Sequence, residues 1–112
     1  MNKQVISGMI LAFSGALLLP SAYAAVDEAA AKALAKSSDC FKCHAVDKDK
    51  KGPSLKKIAA KYKGKADGED KVLKSVTTGP MIKIDGKEEK HASVESKDPK
   101  ELKNLADWIL SQ

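Results

Sequence analysis

The chain has 112 residues, with 20 basic side chains, all lysine, against 15 acidic ones and a net charge of +5. Aromatic residues make up only 4 % and charged residues 31 %, so the chain can build at most one small domain with a thin apolar core. Such a domain usually needs a disulfide, a metal or a cofactor to hold it. Without arginine it lacks the bidentate phosphate grip of a dedicated nucleic-acid binder, and its lysines read as a hydrated, weakly steering surface.

The first 24 residues read as a secretory signal peptide. Lys3 precedes an apolar run from Ile10 to Leu19, and Ala22-Tyr23-Ala24 supplies the small-x-small end. The run is short for a membrane span and a cleavage signal follows it. Cleavage after Ala24 would leave residues 25–112 as one exported domain with no membrane attachment, so the expected location is the periplasm. Export also places the two cysteines in an oxidising compartment.

Four helices are predicted in that domain. The first spans Val26 to Asp39, with Asp27 and Glu28 at its positive end, Lys32 and Lys36 nearer its other end, and a narrow stripe of Ala31, Leu34 and Ala35. After a charged loop ending in Gly52-Pro53, Ser54 to Tyr62 forms the second, with Leu55, Ile58, Ala59 and Tyr62 on one side. Glu69 to Gly79 forms the third, carrying Val72, Leu73 and Val76 and stopping at the glycine. The fourth opens with Asp98 as N-cap and Pro99 at its first position, and buries Leu102, Leu105, Trp108 and Ile109. Pro80 to Lys97 shows no sustained period. Met81 to Ile84 alternates and Asp85-Gly86 is a turn signal, but the segment reads as one long loop. The expected fold class is all-α.

The chemistry concentrates in Cys40-Phe41-Lys42-Cys43-His44. Cys-x-x-Cys followed at once by His is the attachment signature of a c-type haem. Two cysteines three positions apart reach the two vinyl groups of one ring, and the adjacent His supplies an axial nitrogen. Three other readings use the same residues. They are a local disulfide, a thioredoxin-like redox pair (which would want a nearby βαβ unit), and a zinc site of Cys40, Cys43, His44 and His91. A large apolar ring would supply the core that so lysine-rich a domain lacks.

On this motif, together with the helix before it, the "KGPSLKKIAAKY" segment and the final "ELKNLADWILSQ" helix, the chain resembles the class I cytochromes c of the small bacterial kind. The resemblance implies about four helices wrapped around one covalently attached haem c, with Cys40 and Cys43 as thioether links and His44 as proximal ligand. It implies that the Pro53 carbonyl accepts the Nδ1 proton of His44, and that Tyr62 and Trp108 pack around the haem or near a propionate, or serve as ordinary core aromatics. The implied activity is single-electron transport, not enzymatic turnover, with redox proteins bearing acidic docking faces as partners.

The family's usual sixth ligand is a methionine in the loop before the last helix, and Met81 is the only methionine beyond the signal. In the small bacterial relatives that methionine lies about ten residues past the glycine ending the third helix and about sixteen before the final tryptophan. Here Met81 is 2 past Gly79 and 27 before Trp108, whereas His91 is 12 past Gly79 and 17 before Trp108. Both counts favour His91, with Met81 as the alternative and Lys90 or an open iron behind them. Two imidazoles would lower the potential relative to His/Met ligation. A labile distal ligand would give a second function, binding of NO, CO or O₂.

Overall fold

The computed structural model describes residues 25–112 and the isolated Gly15; the signal peptide read in residues 1–24 lies outside this range. Its elements are helix α1 (Glu28–Ser37), a single 3₁₀ turn (Cys40–Lys42), α2 (Leu55–Tyr62), α3 (Gly68–Thr78), strands β1 (Met81–Ile84) and β2 (Lys87–Lys90), and α4 (Pro99–Leu110).

The helix ends follow from their caps. Asp27 accepts from the Ala30 N–H to open α1, Ser54 from the Lys57 N–H to open α2, and Asp98 from the Lys100 N–H to open α4, with Pro99 in the first turn. Gly79 closes α3 in the left-handed conformation.

α4 is the hub, packing against α1, α2 and α3. Ala31 and Ala35, one turn apart and almost fully enclosed, let α1 approach α4 closely, and Leu105, Ala106, Trp108 and Ile109 meet them from α4. Leu55 and Val72 complete this core and Leu34 packs at its half-buried margin, whereas Leu102, expected on the buried face of α4, is only half-buried. Asn104 locks the pair of helices, accepting from the Asp27 N–H and donating to the Asp27 carbonyl, both at 2.9 Å. Phe41, from the 3₁₀ turn, meets Trp108 edge to face with ring centroids 6.4 Å apart. This contact seats the cysteine segment on the core.

The long-loop expectation needs one correction. Residues 81–90 form an antiparallel hairpin in which Met81 pairs with Lys90 and Ile84 with Lys87. Asp85 and Gly86 both take positive φ (51° and 80°), the requirement of a tight two-residue hairpin turn. The two strands lie against each other, and among the described elements the hairpin backbone approaches no helix. Among the described residues no helix is long and apolar enough to cross a membrane.

Candidate haem site

The segment after α1 is shaped for the His44 ring. The Cys40 carbonyl accepts from the Cys43 N–H at 3.2 Å and the His44 N–H at 3.0 Å, so the backbone coils tightly and sets both cysteines beside one another. Cys40 and Cys43 are free and half-buried. Burial pushes the Cys40 thiol above its ordinary value, with the Asp39 carboxylate and Cys43 pushing the same way and a backbone hydrogen bond opposing them. A protonated thiol is a poor attacking group for redox exchange, and the disulfide reading finds no bond. The zinc reading is not assembled either: among the described residues no three His, Cys, Asp or Glu side chains come together as a metal site.

The His44 ring is held from one side by residues 49–53. Its Nδ1 lies 2.6 Å from the Pro53 carbonyl oxygen. A carbonyl only accepts, so Nδ1 carries the proton and Nε2 keeps its lone pair. Pro53 is fixed in turn by its neighbours: Asp49 accepts from the Ser54 N–H at 2.9 Å and from the Lys57 ammonium, and Gly52 donates to the Cys43 carbonyl at 2.8 Å. The Lys57 ammonium, then the Ser54 amide, holds the Asp49 carboxyl below its usual value. Gly52 has no room for a side chain, because a Cβ there would lie 2.6 Å from Cε1 of His44. Composition and periodicity gave no hint of Asp49 or Gly52, and only the Gly-Pro dipeptide marked this turn.

His91 stands near the same ring. Its ring centroid lies 6.1 Å from that of His44 with the planes 47° apart. His91 Nδ1 donates to the Ala92 carbonyl at 2.8 Å, which again leaves Nε2 as the free lone pair. Two imidazoles on opposite sides of one ion, at roughly 2 Å per metal–nitrogen bond plus about 1 Å from nitrogen to ring centre, place their centroids about 6 Å apart.

The remaining predicted residues lie elsewhere. Met81, at the start of β1, is 62 % exposed. Trp108 is buried in the helical core, and its Nε1 is enclosed by protein with no partner among the described residues. Tyr62 is half-buried and borders a separate cleft of about 440 Å³ with Lys63, Glu69, Asp107 and Leu110.

A family model for cytochrome c matches residues 28–112. The chain belongs to the cytochrome c family. Among solved structures, this cytochrome is similar to the class 1 cytochrome MtoD from Sideroxydans lithotrophicus ES-1, at 56 % identity over 78 % of this chain and 97 % of that one, with a TM-score of 0.73. It is 36 % identical over 99 residues to cytochrome c-552 of Nitrosomonas europaea, covering 88 % of this chain and 90 % of the relative. It is 33 % identical over 99 residues to cytochrome c-551 of Pseudomonas aeruginosa, covering 88 % of each. It is therefore a class I cytochrome c, a monohaem electron carrier with one covalently bound haem c. The residues in place fit that group: two unpaired cysteines in the attachment spacing, and two histidines each offering Nε2.

Proposed function

We propose that this cytochrome is a periplasmic carrier of single electrons, exported by the signal peptide in residues 1–24, whose haem is held by thioethers to Cys40 and Cys43, by His44 and by His91. The haem supplies one iron that cycles between Fe(III) and Fe(II) and so stores one electron. The chain's own work is to fix the two nitrogens. Pro53 holds the His44 ring in the tautomer that presents Nε2, and the Ala92 carbonyl does the same for His91. The observation that carries the proposal is the 6.1 Å separation of the two imidazoles, because it is the spacing one shared metal would require. Met81, 62 % exposed on the hairpin, has no comparable support.

Two strong nitrogen donors favour the ferric state, so the potential should lie below that of a His/Met cytochrome c. The loop beside the cysteines supports acidic redox partners. Asp47 and Asp49 are paired with Lys56 and Lys57, while Lys48 and Lys51 have no acidic partner among the described residues and present net positive charge. Encounter through such lysines should weaken with salt.

The test is the ferric visible and near-infrared spectrum of the wild type, His91→Ala and Met81→Ala. A bis-imidazole spectrum lost only in His91→Ala is expected. A sulfur-to-iron band lost in Met81→Ala would overturn the ligand assignment. Prompt full conversion of the reduced protein to a CO adduct would favour gas binding over electron transport.

A further inference from the structure

The C-terminal end of α3 is the mount from which His91 hangs. The chain leaves that point through β1, returns through β2, and is tied back to where it started. The His91 N–H donates to the Pro80 carbonyl and the Val94 N–H to the Val76 carbonyl, each at 2.8 Å. Glu95 N–H adds a tie to the hydroxyl of buried Ser38 at 3.3 Å. The backbone of the hairpin between these ends approaches no helix among the described elements, and its Lys90 side chain reaches only the Gly79 junction. What places the His91 imidazole opposite His44 is the junction with α3.

That junction closes around Gly79, which is buried and left-handed at φ 59° and ψ 58°. A Cβ on Gly79 would stand 2.8 Å from Cε of Lys90, 2.9 Å from the His91 carbonyl oxygen and 2.9 Å from Oγ of Ser93. The lysine tip can swing aside. The His91 oxygen belongs to the backbone that carries the imidazole, so relieving that contact moves the ring. Gly64 and Gly86 share the positive φ, at 76° and 80°, yet a Cβ on either would meet nothing within 4 Å. Those two answer only to backbone conformation. Gly79 answers to conformation and to close approach together.

We propose that Gly79 is a positioning residue for the distal ligand: its missing side chain sets how closely His91 reaches the haem iron, and so how firmly the sixth position is held. The proposal rests on the reading of His91 as that ligand. The chemistry at stake is imidazole binding, with CO as the competing probe.

The experiment compares the wild-type holoprotein with Gly79→Asn and Gly64→Asn. Asparagine is a non-glycine residue that tolerates left-handed backbone, so the pair separates crowding from strain. CO binding to the reduced protein and imidazole binding to the ferric protein are followed by absorbance, with far-ultraviolet circular dichroism as the check on folding. Gly79→Asn should bind CO faster by about tenfold or more, since overpacking at this contact is expected to be relieved by moving His91. Gly64→Asn should stay within about twofold of wild type, because its Cβ enters open space. If Gly79→Asn does not mature, Gly79→Ala replaces it with Gly64→Ala as its control, and faster CO binding is again expected because its Cβ meets the same His91 carbonyl oxygen. Equal shifts in the position-79 and position-64 variants, or no shift in Gly79→Asn or its alanine replacement, would overturn the proposal. A wild-type spectrum unaffected by His91→Ala would instead overturn the ligand reading on which it stands.

Discussion

Asp107 offers a prediction in which the two ends of one ion pair respond with opposite sign. Its side chain is only 5 % exposed while that of Lys103 is 48 % exposed, and they meet at 3.0 Å through Oδ2. Oδ1 is enclosed and has no partner among the described residues. A buried acceptor without a partner costs about 1–3 kcal/mol. The pair to a half-exposed lysine returns at most about 1 kcal/mol after solvent screening. Asp107 also borders the 440 Å³ cleft beside Tyr62, so a slightly larger apolar side chain has room to extend. Asp107→Leu should therefore raise stability by about 1 kcal/mol, a rise of roughly 4–8 °C in Tm for a domain of this size. Lys103→Met should lower stability by about 1 kcal/mol, because the carboxylate stays buried after the one cation paired with it among the described residues is removed. Thermal unfolding of the ferric holoprotein by circular dichroism at pH 7 reads both. A lower Tm for Asp107→Leu would refute the reasoning, as would a gain for Lys103→Met.

Other consequences can be measured on the same protein. Gly52→Ala would put a methyl group 2.6 Å from Cε1 of His44, and the yield of haem-stained protein should fall sharply relative to Gly64→Ala. Leu105 is fully enclosed, so Leu105→Ala should cost about 2–5 kcal/mol in denaturant melts, a large share of the roughly 5–15 kcal/mol that holds a typical domain. The Asp107 carboxylate, then Glu69, holds the Lys103 ammonium above the ordinary lysine value of 10.5. Its contribution is thus complete below that value and lost as pH rises through the elevated one. The stability gap between wild type and Lys103→Met should stay constant from neutral pH to about pH 9 and shrink only in stronger alkali; a gap that closed below pH 9 would contradict this.

The sequence made the helices legible because three of the four begin with a side chain that caps them. Asp27, Ser54 and Asp98 can be recognised without knowing what the helices pack against, and Gly79 marks the end of α3. The apolar spacing of Leu105, Trp108 and Ile109 likewise identified the buried face of α4. The hairpin was less visible for a physical reason. β2 reads Lys-Glu-Glu-Lys and is exposed along its whole length, so no apolar alternation announces it, and only Asp85-Gly86 signals the reversal. Residue spacing singled out His91, since the distance along the chain to Trp108 is fixed by α4. The same spacing could not reveal Asp49, Gly52 or the tightness at Gly79. Those roles arise from segments distant in sequence meeting at one point, as when His91 returns to Pro80.

Because the backbone of residues 81–90 stays clear of the helices, with the Lys90 side chain reaching the Gly79 junction, this hairpin can be treated as a cassette. Its length and composition can drift without disturbing the core formed by α1 and α4. The anchoring half of the site, Cys40 to His44, is seated on that core through Phe41 and Trp108. A donor placed on this span can therefore be exchanged while the α1–α4 core and the attachment segment keep their contacts. Such a division makes redox potential an evolvable trait, separable from stability. It also recommends the span between Pro80 and His91 as the place to graft other donors.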